Sequence, residues 1–568
     1  MPDSFNPSAT RPNGDMHSPT LHTARRVRAA LPDHTDVAII GCGPGGLQAA
    51  ALLARAGLKV ACFDQHYVAG GCATMFERGR SEARWRFDVG LHYIGDCGRD
   101  GQIPTLLRAA GITDIEYVPL DPDGFDTLVF PDLEFRIPVG LDRYRQRLHD
   151  TFPAEKKGID RYCRFLSETW TIFNSANQRG GKIGWLTGLQ VLLRGRLVAR
   201  YQHATIGEVL QDCTRDPQLR AVLLGQSGDY GVAPSQASAL LHAGLAMHYF
   251  AGAYYPKGGG QVIADRLSAA IEAAGGSVHL RRGIAQIVVE NGRAVGVRTE
   301  ADTKQPSVEI RAKVVISNAD IVRTMLELVP ADHLPPAWRA RAQGWQMGGA
   351  LWLTCAGLQG CPEQLGIRAA NYWQFDSYDV ERFYTQAATA DRPTPRGCYI
   401  TSATAKDPAT AGHAPAGMTG IEVMALIPAT WSIWGVNAAE VHSGEYRKKP
   451  AYVERKAAIE AELRQRLHTV LPATSGQVVM CESASPMTHM RFTRASAGTG
   501  YGLAATPDQF GQQRPGYRGP LPGLYLCGAS TRAGHGVVGA LMSGQRCAQK
   551  VAADLGVQLQ DGADGQHK

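Results

Sequence analysis

An α/β fold is predicted for this sequence: a Rossmann-like dinucleotide-binding domain, interrupted by a mixed α+β domain that would carry the substrate. Three observations predict it. A complete strand–turn–helix–strand unit occupies Asp36 to Asp64, glycine-rich turns that open helices recur near Gly258 and Gly528, and two long blocks of different character lie between these pieces. A strand that runs through G-x-G-x-x-G into a helix is the turn on which a pyrophosphate rests.

The elements follow in order. Val37 to Ile40 are apolar and largely β-branched and read as a short buried strand, after which Gly41, Gly43 and Gly46 fall at the G-x-G-x-x-G spacing. Gly41 permits the tight turn, Gly43 lets the backbone approach a pyrophosphate, and Gly46 lets the next helix pack on the strand. That helix, Leu47 to Ala56, is rich in Ala and Leu and stops at Gly57. Its N-terminal amides and dipole favour negative charge. A second strand, Val60 to Phe63, ends in Asp64, where an acid accepts hydrogen bonds from an adenosine ribose. Gly258 to Gly260 lack a preceding buried strand, so they read as a helix-opening turn, the helix ending near Gly275 and Gly276. The alternating segments that follow read as strands, with Asn291-Gly292 as a hairpin turn. Leu524 to Cys527 form a last strand, Gly528 opens its turn, and Gly534, Gly536 and Gly539 surround the start of a helix. This second turn can offer amides to a polar cofactor edge such as the N1/C2 carbonyl side of an isoalloxazine. NAD needs no such distant turn, whereas an extended FAD spans both.

The domains expected are a discontinuous FAD-binding unit (35–108, 249–320 and 515–555) and a substrate unit, of which 109–248 is mainly helical in pattern and 321–514 alternates strand-like runs with loops. Residues 1–34 and 556–568 read as a disordered leader and a flexible tail. The leader has no apolar segment of secretory type, and no apolar stretch is long enough to span a bilayer. Twelve cysteines without a C-x-x-C pair point to reduced thiols in a cytoplasmic setting and to no metal site. A net charge of +7 without a Lys/Arg-rich run does not call for nucleic acid, but tolerates an anionic membrane surface. Arg179 to Tyr201 interleaves Trp185, Leu186, Leu189, Leu192, Leu193 and Leu197 with Arg194, Arg196 and Arg200, the composition of an interfacial helix or of an ordinary amphipathic one.

Asp36 to Asp64, followed by AGGCATMFERGRSEARWRFDVGLHYIGD, resembles the N-terminal region of the FAD-dependent phytoene desaturase, carotenoid isomerase and retinol saturase superfamily, whose fold is of the amine oxidase type. The segments GDYGVAPSQASALLHAGLAMHYFAGAYYPKGGGQ, VVISNADI, SATAKDPATAG and NYWQFDSYD resemble the retinol saturase branch in particular, while CGASTRAGHGVVGALMSGQRCA is closer to the isomerase and desaturase pattern. The resemblance implies FAD as cofactor. It sets Gly41, Gly43, Pro44, Gly45 and Gly46, then Asp64 and Gln65, then Gly70, Gly71 and Cys72 against it. At the other turn it implies Gly528, Ala529, Val537 and Val538, with the main chain of Ile284 contacting the adenine. Ala529 stands where many FAD enzymes place an acid that bonds the ribityl chain.

A hydride moved to or from one carbon requires a proton moved on its neighbour. Candidate groups for that proton are His92, Tyr93, Tyr230 and Tyr254 or Tyr255, with His92 the leading choice because a histidine titrates near neutrality. The expected activity is oxidoreduction of carbon–carbon bonds in an apolar polyene, isoprenoid or acyl substrate, in either direction. A cis/trans isomerase using reduced flavin, a flavin amine oxidase and a non-enzymatic lipid escort are the competing readings. No second dinucleotide site for NAD(P)H is evident, so electrons would pass through a carrier protein, a quinone or oxygen.

Overall fold

A computed structural model describes residues 30–79, 83–178, 195–301, 306–389 and 394–560. The strands His34–Ile40 and Val60–Asp64 pair in parallel, as expected for strands joined by a crossover helix. That helix runs Pro44–Arg55 and so begins three residues before Leu47. Pro44 occupies its first turn, where a fixed φ favours helix and the missing N–H costs nothing.

Around this unit a sheet of seven strands forms in the order Ser277–Leu280, Val60–Asp64, His34–Ile40, Glu309–Ser317, Arg293–Thr299, Ile284–Glu290, with Leu524–Leu526 also paired to Glu309–Ser317. The hairpin turn at Asn291-Gly292 has φ of 49° and 73°, the doubly left-handed turn whose twist matches that of its strands. The sheet thus brings together strands from three distant stretches of chain. Helices Gln261–Ala273 and Gly536–Leu555 pack with Pro44–Arg55 on one face. Gly45 and Gly544 meet where two of these helices cross, since a Cβ at Gly544 would stand 2.2 Å from the Gly45 carbonyl oxygen.

A second seven-stranded sheet runs Val478–Ala484, Leu351–Gln359, Met418–Leu426, Gly397–Thr401, Asn371–Phe375, Asp126–Val129, Glu134–Ile137. Its last two strands come from the stretch that reads as mainly helical. Each is only four residues long, too short for its alternation to stand out beside the helices that follow.

Both ends of the described chain depart from expectation. His34 and Thr35 already pair with Arg311 and Ala312, so the leader does not reach the strand. Beyond Leu555, Val557 and Leu559 pack on the core and Gln560 Nε2 donates to the Arg55 carbonyl at 2.7 Å, because the alternation in GVQLQ supplies apolar anchors. Residues 179–194 of the expected interfacial helix lie outside the described residues. The remaining turn, Arg196–Tyr201, is held by Arg200 and Tyr201 on Asp212, at 2.7 and 2.9 Å. Among the described residues no helix is long and apolar enough to cross a membrane.

Candidate active site

The two glycine turns converge on Asn318, the residue that follows the central strand Glu309–Ser317. Its Nδ2 donates to the Gly41 carbonyl at 3.3 Å, and its Oδ1 accepts from Cys527 Sγ at 3.6 Å. Gly528, with φ of 95°, donates its N–H to Ser543 Oγ at 2.9 Å. Neither helix that starts here has a side-chain cap: Gly43 precedes one and His535 the other, and neither first turn carries an acid. Uncapped amides at two converging helix N-termini make a site for negative charge.

A single cavity of about 1130 Å³ joins the two turns. Gly41, Gly43, Pro44 and Gly45 line it, as do Asp64, Gln65, Gly71, Cys72 and Ile284, and Gly528, Ala529, Val537 and Val538. Gly46 and Gly70 stand behind this wall. A Cβ at Gly46 would lie 2.2 Å from the Gly41 carbonyl oxygen, so its place is helix-on-strand packing, and Gly70 packs on Thr74 and Ala264. Asp64 is aimed by two main-chain donors, Cys42 N at 2.7 Å and His66 N at 2.8 Å. Gln65 spends its amide elsewhere: Nε2 donates to the Phe492 carbonyl at 2.6 Å and Oε1 accepts from Arg494 Nε at 2.7 Å, clamping the 491–494 turn. The Ile284 carbonyl accepts from Arg323 at 3.1 Å. A Cβ at Gly71 would stand 3.2 Å from the Gly43 Cα, so side chains here would close the channel between them. A polar, extended anion fits this cradle, and a dinucleotide is such a group.

The same cavity is walled by His92, Tyr93, Asp229, Trp373 and Tyr399. His92 is 6% exposed and its Nε2 has no hydrogen-bond partner. Burial, then the charge of Lys406, lowers its pKa to about 3. It is therefore a neutral imidazole, and the expectation that it titrates near neutrality does not hold. Tyr93 stacks on Tyr249 at 4.3 Å. Tyr230 and Tyr255 are fully buried and do not line the cavity: Tyr230 contacts His242 Nδ1 at 3.2 Å, and Tyr255 donates to Asp88. Tyr254 also lies off the wall, on the strand Ala253–Pro256. Alternation along that strand sends Tyr255 into the core and Tyr254 to the other, partly exposed face, and the turn at 227–229 sends Tyr230 into the core.

Two buried polar clusters adjoin the wall. In one, Asp88, His92 and Glu422 bring one ligand-type atom each within 4.8 Å of the others. The positive charge there is the protein's own, Lys406, whose Nζ donates to Thr401 Oγ1 at 2.6 Å, to Asn371 Oδ1 at 3.3 Å and to the His92 carbonyl. Burial, then Asp88, raises the pKa of Glu422. In the other, Asp126 and Asp229 both meet the Tyr93 hydroxyl. Asn371 links the clusters, since its Nδ2 donates to Asp126 Oδ1 at 2.9 Å.

Comparison with known proteins agrees with this architecture. The family described as NAD(P)-binding Rossmann-like domain matches residues 39–110, and that described as flavin containing amine oxidoreductase matches residues 444–552. The chain is 28% identical to an all-trans-retinol 13,14-reductase of Danio rerio, over 88% of this chain and 83% of that one. It is 26% identical to a chloroplastic prolycopene isomerase of Daucus carota, over 92% and 81%. Among solved structures, an oxidoreductase from Methanosarcina mazei shares the fold with a TM-score of 0.58 at 17% identity, over 90% of this chain and 99% of that one. Glycine turns, cavity and relatives together indicate a flavin-dependent oxidoreductase similar to the retinol 13,14-reductases and the prolycopene isomerases.

Proposed function

We propose that the chain binds FAD in an extended form and uses it to move hydride to or from a carbon–carbon bond of an apolar polyene. The observation that carries this reading is the single cavity that joins both uncapped helix N-termini to an aromatic wall. The amides after Gly43 would hold the pyrophosphate and Asp64 the adenosine ribose, with Gly71 and Cys72 lying along the dinucleotide. The turn at Gly528 and Ala529 and the amides of Val537 and Val538 would face the flavin's polar edge. When bound, the flavin supplies hydride chemistry, and the protein orients the substrate and excludes water. Electrons would reach or leave it through a carrier, a quinone or oxygen.

His92 enters as a neutral ring with a free nitrogen, suited to hold a hydrogen bond rather than to act as a cationic acid. Replacing it by Ala is expected to leave the protein yellow while slowing the flavin's reaction with substrate. Unchanged single-turnover rates would remove His92 from the mechanism. A cis/trans isomerase using reduced flavin is the second reading, favoured by the run CGASTRAGHGVVGALMSGQRCA. Anaerobic reduction, mixing with candidate polyenes and mass analysis decide between them. A gain of two hydrogens means saturation, a loss from oxidised enzyme means desaturation, and unchanged mass with altered geometry means isomerisation. No change in any polyene defeats both readings.

A further inference from the structure

We propose that Asp229 is the proton donor of this site, a carboxylic acid kept neutral at the cavity wall by its burial beside the carboxylate of Asp126. The proposal rests on the reading that a polyene C=C bond is reduced here.

The argument is a count of protons. Tyr93 Oη lies 2.7 Å from Asp229 Oδ2 and 3.1 Å from Asp126 Oδ2. A phenol has one proton to donate, so two ionised carboxylates cannot both be satisfied by it. One contact needs a proton on the carboxyl side. Asp126 is the better anion, because Gln226 Nε2 donates to its Oδ2 at 2.7 Å and Asn371 Nδ2 to its Oδ1 at 2.9 Å, whereas Asp229 has only the Tyr249 hydroxyl besides Tyr93. The proton therefore resides on Asp229, which donates to Tyr93, which in turn donates to Asp126. Like charges this close do not both ionise in a buried site.

The electrostatics agree. Burial pushes Asp126 up only to about 6, because Asn371, Gln226 and Tyr93 restrain it. Burial, then the charge of Asp126, pushes Asp229 up to about 8, with Tyr93 and Tyr249 pulling back. The remaining groups that face the pair are the phenols Tyr230, Tyr249, Tyr384, Tyr399 and Tyr501, all raised by burial, and the indole of Trp373. Lys406 is linked to the pair by hydrogen bonds through Asn371 and acts on Asp126 by its charge. No cation contacts Asp229 among the described residues.

Position separates the two acids. Asp126 is fully buried and off the cavity wall, whereas Asp229 lines the cavity with His92, whose Nε2 is itself buried and unpartnered. Reducing one C=C bond breaks its π bond and forms two C–H bonds. The hydride would come from reduced flavin, and the proton would come from Asp229 as its O–H bond breaks. Tyr93 is in place to donate to the carboxylate left behind, and water restores the proton once product leaves. In the oxidising direction the same carboxylate would accept the proton.

The test uses Asp229→Asn and Asp229→Glu in the full chain. At neutral pH the wild type minus Asp229→Asn difference spectrum should show the infrared C=O stretch of one protonated carboxyl, beyond what Glu422 contributes to both. Folding stability supplies a second readout that needs no cofactor. A carboxyl whose pKa is raised on folding keeps a proton that the unfolded chain has released, so stability falls as pH rises from about 4 to about 8. Asp229→Asn should flatten that fall. In pre-reduced enzyme, Asp229→Asn should slow polyene conversion by about 100-fold or more and remove the rate decline near pH 8, and Asp229→Glu should restore part of the rate. Absence of the carboxyl band, or its loss with an unchanged rate, overturns the proposal. A wild type that shows the band but converts no polyene overturns the functional reading and with it the donor role, leaving only the neutral acid.

Discussion

Replacing Lys406 by Met is expected to destabilise the chain by about 3–5 kcal/mol, because it removes the cation from a buried cluster that keeps its acids. Lys406 is 2% exposed, and its ammonium lies 4.8 Å from the centre of the Tyr255 ring. Burial lowers its pKa, and the charges of Glu422, Asp88 and Asp126 raise it again. Methionine preserves most of the volume, so the loss comes from charge and hydrogen bonding rather than from a cavity. Thr401 Oγ1 and the His92 carbonyl lose a donor, and Asp88 and Glu422 lose their counter-charge. The second substitution separates these terms. Glu422→Gln in the Lys406→Met background removes one acid left without its cation and should recover part of the loss, giving a coupling well above the ~0.5 kcal/mol within which independent sites add. Denaturant midpoints of the wild type, both single variants and the double variant measure this. A Lys406→Met midpoint equal to the wild type, or a double variant no better than the single, would show that the cluster carries no net charge to compensate.

That cluster also shows where the sequence stops being legible. The turn at Gly41 to Gly46 could be read because all its requirements are local: a β-branched strand, glycines at fixed spacing, an Ala-rich helix and an acid at the end of the next strand. Asn318 could not be read in that way. Its side chain is placed by the sheet, which brings the end of Glu309–Ser317 between two turns whose glycines are nearly five hundred residues apart. Tyr93, Asp126 and Asp229 likewise come from a loop, the next-to-last strand of the second sheet and a short helical turn. Chemistry chosen from side-chain type favoured the tyrosine of GDYG, whereas the turn directs Tyr230 toward His242 and leaves Asp229 on the cavity. One signal was available. Glu422 interrupts the apolar run IEVMALIPA, and Lys406 sits in an otherwise small and apolar SATAK, and a charge inside such a strand or turn is rare unless it is paired. His92 fails differently, because its type was read correctly but burial and Lys406 move its titration far below neutrality.

Arg514→Leu is expected to cost the protein most of its flavin along with several kcal/mol of stability. Arg514 is 1% exposed and places its fork among four main-chain oxygens. Nε donates to Gln509 at 2.7 Å, Nη1 to Ala529 at 2.6 Å and to Gly534 at 2.8 Å, and Nη2 to Leu503 at 2.6 Å. Two of those carbonyls belong to the turn that opens the helix Gly536–Leu555, so the guanidinium fixes the amides that this turn presents to the cavity. Each buried carbonyl left without a donor costs about 1–3 kcal/mol, and leucine supplies none. Lysine is a poor substitute, since a compact ammonium cannot span four acceptors that a planar five-donor fork reaches. No carboxylate contacts Arg514 among the described residues, and burial lowers its pKa to about 10, still well above neutrality. A buried cation with only carbonyl partners makes the turn above it favourable to negative charge, which a reduced flavin carries. Two measurements follow from these two roles. Visible absorbance per polypeptide should fall in both Arg514→Leu and Arg514→Lys, and thermal unfolding should shift down in both. In whatever fraction of Arg514→Lys retains flavin, the reduction potential should stay nearer the wild-type value than in Arg514→Leu, because lysine keeps the charge while losing the geometry. Full flavin content in Arg514→Leu would mean that the turn is held by Ser543 and by Thr531, whose Oγ1 donates to the Gly528 carbonyl at 3.0 Å, and equal potentials in the two variants would mean that the buried charge does not act on the cofactor.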